Sequence, residues 1–262
     1  MNEQPLHIIK VGGNIIDDDQ KLQAFLASFA TLEGKKILVH GGGKLATKLA
    51  ADLHIPQQMV EGRRITDADT LKIVTMVYAG YINKNIVSIL QSHGCSSIGL
   101  CGADANIIQA HKRVNATLDF GFVGDVDNID TARLSGLLEM GLTVVMAPIT
   151  HDGKGQLLNT NADTIAQEIA KALSDHYQTT LIFCFEKPGV LLDAEDENTL
   201  IPIIDPDTFK KLKSEQKIFA GMIPKLENAF KALESGVKKV VIGNAEAWDQ
   251  LIAGKSGTTI SL

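Results

Sequence analysis

Leu6-His7-Ile8-Ile9-Lys10-Val11-Gly12-Gly13 and Ile37-Leu38-Val39-His40-Gly41-Gly42-Gly43-Lys44 decide how this 262-residue chain is read. Each is a short run of β-branched and aliphatic residues ending in a glycine cluster, the pattern of a buried strand that feeds a tight turn. Glycines there let backbone N–H groups come close to an anion, and a following helix adds the positive end of its dipole. Two such turns on neighbouring strands can hold two anionic groups face to face. Neither has the GxxxxGK[ST] spacing of a Walker A loop or the GxGxxG of a dinucleotide fold.

The length suits one large domain or two lobes around a shared sheet. A content of 45% hydrophobic and 21% charged residues is that of an ordinary globular enzyme. The net charge of −6, with no basic stripe to offset it, argues against a nucleic-acid partner. An anionic substrate must then be met by a few placed cations and backbone amides. Cys95, Cys101 and Cys184 have no metal-ligand spacing and read as buried thiols of a reducing compartment. No signal-type segment opens the sequence and no run reaches eighteen apolar residues, so the expectation is a cytoplasmic protein without a membrane partner.

Strand-like and helix-like stretches alternate, which predicts an α/β fold: a mainly parallel central sheet with helices on both faces, a three-layer α/β/α sandwich. Leu22, Phe25, Leu26 and Phe29 share one helical face, and Lys44 to Leu53 is helix-like. Residues 55–65 read as a loop or short hairpin. A long helix is predicted from about Asp67 to Ser92, with Thr66 and Asp69 as a capping box. Its apolar residues, Leu71, Val74, Val77, Tyr78, Tyr81, Ile82, Ile86 and Ile89, exceed one narrow stripe. The helix is therefore either deep in the core or partly buried against a second subunit.

Within 96–126, Ser97–Leu100, Ile107–Ala110 and Phe120–Val123 read as hairpin strands. Leu142 to Ala147 is a buried strand, followed by the turn His151-Asp152-Gly153-Lys154-Gly155. Asn161 can cap a helix in which Ala162, Ile165, Ala166, Ile169, Ala170 and Leu173 keep a 3.6-residue period. The polar break from Ser174 to Gln178 is the candidate boundary between two lobes. Beyond it come a strand over Thr180 to Phe185, a lysine-rich helix over Asp207 to Ser214, a helix opening at Pro224, and strands at Val240 to Gly243 and Thr258 to Ile260.

Several residues carry chemistry. Lys10 is either a solvated strand-end lysine or a cation aimed at a phosphoryl group in transfer. His40-Gly41-Gly42-Gly43 is either an ordinary turn or a cradle of N–H donors for a carboxylate or phosphate. Of Arg63 and Arg64, solvated in the plain reading, one could clamp a substrate carboxylate. Asn159-Thr160-Asn161-Ala162-Asp163 sets two amides and a carboxylate at a helix start, where Asp163 gains from the dipole and Asn161 serves at least as a cap. Lys225, in the first turn of the helix from Pro224, opposes that helix's dipole and so points to an anionic partner.

In order along the chain stand Lys10-Val11-Gly12-Gly13, His40-Gly41-Gly42-Gly43, Arg64-Ile65-Thr66, Asn159-Thr160-Asn161-Ala162-Asp163 and Gly221-Met222-Ile223-Pro224-Lys225. This ordered set resembles the amino acid kinase family across nearly the whole sequence, and within it the branch acting on N-acylated glutamate in arginine biosynthesis. The resemblance implies transfer of the γ-phosphoryl of ATP, with Mg²⁺ riding on its phosphates, to the side-chain carboxylate of an N-acyl-L-glutamate. It implies that Lys10 and Lys225 stabilise the transferring group and that Asp163 organises them. Gly42, Gly43, Arg64, Asn159 and Asn161 would bind the acylglutamate; Gly12, Gly13, Glu186, Gly221 and Met222 would bind the nucleotide. No dedicated metal ligands are expected.

By the same resemblance, residues 1–175 would form the lobe that binds acylglutamate and dimerises, and residues 176–262 the ATP lobe. The assembly would be an arginine-insensitive homodimer with helix 67–92 at its interface. Two places depart from the family pattern. Where relatives carry Asp-Val-x-Gly, this chain has Glu186-Lys187-Pro188-Gly189 preceded by Phe185, and Ala220-Gly221-Met222 replaces Gly-Gly-Met. The acyl group stays open between acetyl and a larger acid such as succinyl. The rival readings are another kinase of the family and a catalytically silent nucleotide-binding subunit.

Overall fold

The computed structural model describes residues 4–60, 63–115, 117–193, 195–215, 217–218 and 222–262. The chain opens with β1 (Pro5–Val11), a single helical turn α1 (Gly13–Ile16), α2 (Asp19–Thr31) and β2 (Lys35–His40). Then follow α3 (Gly43–Asp52), the antiparallel pair β3 (Gln58–Val60) and β4 (Arg63–Ile65), and a continuous helical run over Ala68–Ser92. That run comprises α4 (Ala68–Thr75), a π-helical segment Met76–Ile82 and α5 (Asn83–Ser92). Next come β5 (Ser97–Leu100), β6 (Ile108–Lys112), β7 (Gly124–Ile129), α6 (Thr131–Glu139), β8 (Thr143–Met146), β9 (Ile149–His151) and β10 (Leu157–Asn159). The remainder is α7 (Ala162–Leu173), β11 (Gln178–Phe185), β12 (Ile203–Ile204), α8 (Pro206–Ser214), α9 (Ile223–Glu234), β13 (Lys239–Asn244), α10 (Trp248–Ile252) and β14 (Thr258–Ile260).

Eight strands form one sheet in the order β12-β14-β13-β11-β1-β2-β8-β5, parallel at every step except β13 against β14. Alternation along the central strands builds two cores. Ile8, Val39, Val144, Leu181 and Ile242 point to one face, beneath α6, α7, α8 and α9. Ile9, Leu38, Val145, Ile182 and Val241 point to the other, beneath α2, α4, α5 and α10. A sheet covered on both faces buries continuous apolar runs, which is why these strands read so plainly in sequence. The expected three-layer α/β/α sandwich is the fold observed.

β1 lies between β2, its successor in the chain, and β11, which follows more than a hundred residues later. The chain thus leaves β1 in opposite lateral directions. At such a switch point the loops beyond the carboxyl ends diverge and open a crevice.

Three expectations are corrected. The long helix is capped by Asp67, whose side chain accepts from Thr70 N at 2.8 Å, rather than by Thr66. Thr66 is held as extended backbone: its N–H donates to Phe120 O and its carbonyl accepts from Phe122 N. Within the helix the π segment adds a residue to the turn and slips the periodicity, so Tyr81 is turned out to 63% exposure. Lastly, Ser97–Leu100 is an edge strand of the main sheet, parallel to β8, and Phe120–Val123 makes only isolated bridges through Gly121 and Val123. The antiparallel partner of β6 is the following segment, β7. The described residues include one helix, Ala68–Ser92, long and apolar enough to cross a bilayer, but Leu71, Ile73, Val74, Val77 and Ile86 bury its apolar side in the core.

Candidate active site

Both glycine turns sit at the carboxyl ends of adjacent parallel strands. Val11 lies opposite His40, and Gly41 N–H donates to Val11 O at 3.1 Å. Lys10, one residue earlier, lies opposite Val39 and Phe183. Its stem is buried in the sheet and its Nζ emerges 2.8 Å from Asp163 Oδ1. Asp163 occupies the first turn of α7, where Asn161 caps the helix by accepting from Asp163 N at 2.8 Å and Thr164 N at 3.1 Å. The capping role of Asn161 is therefore real, and it also fixes the backbone that carries Asp163.

Lys225 enters from the first turn of α9, with its Nζ 3.6 Å above the centre of the Phe185 ring. Burial pushes its ammonium below the usual lysine range, nearby Lys10 pushes the same way, and the Asp163 carboxylate opposes both. A short turn of chain after Gly13 brings in Asp17, which burial pushes above the usual carboxyl range and the Lys44 ammonium, 3.9 Å away, draws back.

The second turn is built differently. His40 is fully buried, with Nδ1 2.8 Å from Gly41 O. On its other side, Asn83 Nδ2 lies 3.3 Å from His40 Nε2 and 3.0 Å from Val145 O. An amide NH₂ can only donate, so Nε2 accepts and Nδ1–H donates to Gly41 O; this network assigns the tautomer. Burial is the main reason the imidazole is pushed down to about 4, so it is neutral at pH 7. Gly42 has φ of 151°, and a Cβ there would come within 2.2 Å of Ile82 Cδ1. Only glycine fits. α3 begins immediately after, and its first N–H groups have no partners within the helix.

Two cavities meet at this point. One, of 480 Å³, is lined among others by Gly42, Gly43, Arg64, Asn159, Asn161 and Asp163. The other, of 540 Å³, is lined among others by Lys10, Gly12, Gly13, Glu186 and Met222. Lys225 borders both. Every described residue that the sequence singled out for the site thus falls on one of the two walls. Gly221 lies outside the described residues.

Arg64 reaches its wall from β4 and donates from Nη2 to Gly43 O at 3.0 Å and to Thr47 Oγ1 at 2.9 Å, and from Nη1 to Gln57 Oε1. Asn159 Nδ2 donates to Thr66 Oγ1 at 3.0 Å. Arg63 is also on this wall, but more exposed than Arg64. Sequence reasoning missed Tyr78, Arg113 and Phe183, which line the first cavity. Arg113 is held by Asp125 through both carboxylate oxygens at 3.0 and 3.1 Å from Nε. The signal for Phe183 was its alternation with Phe185 on one face of an otherwise aliphatic strand.

The arrangement can place an anion over the α3 N-terminus in one cavity and a second over Gly12-Gly13 in the other, with two ammonium groups between them. The chain is similar to known proteins along nearly its whole length. The profile described as the amino acid kinase family matches residues 5–244. The acetylglutamate kinase of Phocaeicola vulgatus is 53% identical over 258 residues, spanning 98% of this chain and 99% of that protein. That of Cytophaga hutchinsonii is 56% identical over 250 residues, 95% of each. The crystal structure of smu.665 from Streptococcus mutans UA159 superposes with a TM-score of 0.79 at 27% identity over 98% of each chain.

Proposed function

The chain belongs to the amino acid kinase family, and we propose that it transfers the γ-phosphoryl group of ATP to the side-chain carboxylate of N-acetyl-L-glutamate, a step of arginine biosynthesis. Its relatives at 53% and 56% identity carry that activity in their names. The observation that carries the reading is the placement of Lys225 on the wall shared by two cavities, beside the Lys10–Asp163 ion pair.

The chemistry follows from charge. A carboxylate is already nucleophilic at pH 7, so the reaction needs no general base. What opposes it is repulsion between carboxylate and phosphate, about 4 kcal/mol for unit charges 4 Å apart at an effective dielectric of 20. Left uncompensated, that alone slows transfer by about three orders of magnitude. Lys10 and Lys225 supply the compensating charge where it develops, and Asp163 keeps Lys10 aimed there. The acylglutamate lies in the 480 Å³ cavity, its α-carboxylate on Arg64, its amide on Asn159 and Asn161, and its reacting carboxylate against Gly42 and Gly43. The phosphates lie over Gly12 and Gly13, with Glu186 and Met222 toward the nucleoside.

The second cavity suits a polyphosphate: Gly12 and Gly13 leave the backbone open, and a Cβ on Gly12 would stand 3.6 Å from Lys10 Nζ. Mg²⁺ carried in on those phosphates would neutralise part of their charge. Among the described residues no group of three or more His, Cys, Asp or Glu side chains is placed to hold a metal separately. We assign residues 1–175 to the acylglutamate and dimer-forming lobe, residues 176–262 to the ATP lobe, and the enzyme to the cytoplasm. The homodimer contact is placed on helix Ala68–Ser92, where Met76 and Tyr81 expose 52% and 63% of their surface.

The direct test is trapping of the acyl phosphate with hydroxylamine in the presence of MgATP. Hydroxamate should form from N-acetyl-L-glutamate at a rate that tracks ADP release. N-succinyl-L-glutamate, run beside it, reads the acyl preference; hydroxamate from the succinyl compound alone would overturn the acetyl assignment.

A further inference from the structure

An aromatic ring stands beneath the lysines of the site, with a second ring stacked beside it. Phe183 and Phe185 lie two residues apart on β11 and therefore on the same face of the strand. Their rings are stacked, 6.2 Å between centroids and 15° from parallel. Phe183 is buried and lines the first cavity; Phe185 is half-buried and lines the second. Lys225 Nζ sits 3.6 Å above the Phe185 centroid, and Lys10 Nζ is 5.5 Å from the same point. Both distances are within the reach of a cation–π interaction.

We propose that Phe185 is a positioning residue for phosphoryl transfer, an aromatic seat that holds the Lys225 ammonium, and more weakly that of Lys10, at the wall between the two cavities. The inference rests on the reading of these lysines as the cations that face the phosphoryl group.

The physical case starts from the imbalance between the two lysines. Lys10 has Asp163 at 2.8 Å, whereas no carboxylate among the described residues comes within 4 Å of Lys225 Nζ. Lys225 is nonetheless partly buried and close to a second cation. A carboxylate partner would steady it but would cancel much of the charge that the phosphoryl group needs. A ring face attracts the ammonium through its quadrupole while leaving it a full positive charge and N–H donors directed away from the ring. Phe183 braces the seat from below, so Phe185 cannot tilt freely.

Among the described residues, the other charged groups around Lys225 are few. Lys10 faces it from β1 and Asp163 from α7, while Glu186 and Lys187 line the second cavity after β11. On its own helix Glu227 is drawn 2.7 Å from Lys213. Loss of the ring should therefore act on Lys225 more than on any other group.

The experiment compares Phe185→Leu, which keeps an apolar side chain without the quadrupole, with Phe185→Tyr, which keeps the ring. Both are measured with MgATP and N-acetyl-L-glutamate from pH 6 to 10, after the unmodified enzyme has been shown to form the trapped hydroxamate. That control separates failure of the seat from failure of the kinase reading. Phe185→Leu should lose about tenfold in kcat with KM for N-acetyl-L-glutamate changed less than threefold. Its alkaline limb should move about half a unit to one unit lower, and Phe185→Tyr should restore both within about twofold.

Thermal unfolding of each variant reports whether the fold is kept. If Phe185→Leu falls in kcat with no movement of the alkaline limb, or Phe185→Tyr is as impaired as Phe185→Leu, the ring is mere packing and the proposal fails. A Phe185→Leu enzyme with unchanged kcat overturns it as well.

Discussion

The two glycine turns look alike in sequence and are held by opposite means. The turn after β1 opens a single helical turn, and its immediate surroundings are charged: Lys10 Nζ stands 3.6 Å from where a Gly12 Cβ would be, and Asp17 Oδ2 3.0 Å from a Gly13 Cβ. The turn after β2 opens the ten-residue α3 and is fixed by hydrogen bonds to its carbonyls and by packing. His40 and Asn83 anchor its carbonyl, Arg64 binds Gly43 O, and Ile82 and Tyr78 fill the space above Gly42. Under the proposed assignment, the turn approached by a flexible polyphosphate can stay open, and the one that holds a small acid in one orientation has to be rigid.

Substitutions should separate the two. Gly42→Ala forces a methyl into Ile82 and strains a φ of 151°, so it should cost about 3 kcal/mol of unfolding free energy, read by urea denaturation. A stability within 0.5 kcal/mol of the parent, to use about the scale of a neutral surface change, would mean that the second turn is not packed as described.

The next effect is the pH dependence that His40 contributes at the second turn. The imidazole of His40 is pushed down to about 4 in the folded protein from 6.5. Between these values the unfolded chain binds the extra proton, so stability falls as pH drops from 6.5 toward 4. The His40 share of that fall is about 1.5 kcal/mol between pH 6.5 and 5. His40→Asn should lack it, and equal slopes for parent and variant in denaturation at the two pH values would contradict the neutral buried imidazole.

The smallest change in stability belongs to the first turn. A Cβ on Gly12 meets only the far end of the Lys10 side chain and Cys184 O at 3.7 Å. Gly12→Ala should leave stability within about 0.5 kcal/mol while lowering turnover about tenfold, because the methyl narrows the approach to Lys10. Differential scanning fluorimetry beside a coupled ADP assay reads both, and a large fall in stability would erase the distinction between the turns.

Most of this architecture was readable in advance because the main sheet is buried on both faces. β2, β8, β11 and β13 each carry a short continuous apolar run, and in β1 only His7 and Lys10 interrupt one. The candidate site was legible only as an ordered set: Lys10, Gly42, Asp163 and Lys225 each have a plain reading alone, and it is their succession along the chain that points to one site. What escaped depends on tertiary placement. Thr66 looks like a cap until Gly121 and Phe120 pair with its backbone. Tyr78 belongs to an apolar helix stripe until the π segment presents it to Gly42. Phe185 read only as the neighbour of an altered motif until α9 laid Lys225 over its ring.

The central claim is that two lysines between two glycine turns carry the transfer. Hydroxylamine trapping with N-acetyl-L-glutamate and MgATP, applied to Lys10→Ala and Lys225→Ala, tests it most directly. Each variant should retain the parent's unfolding transition and form hydroxamate at least about a hundredfold more slowly. Near-parental rates in either variant would contradict the account.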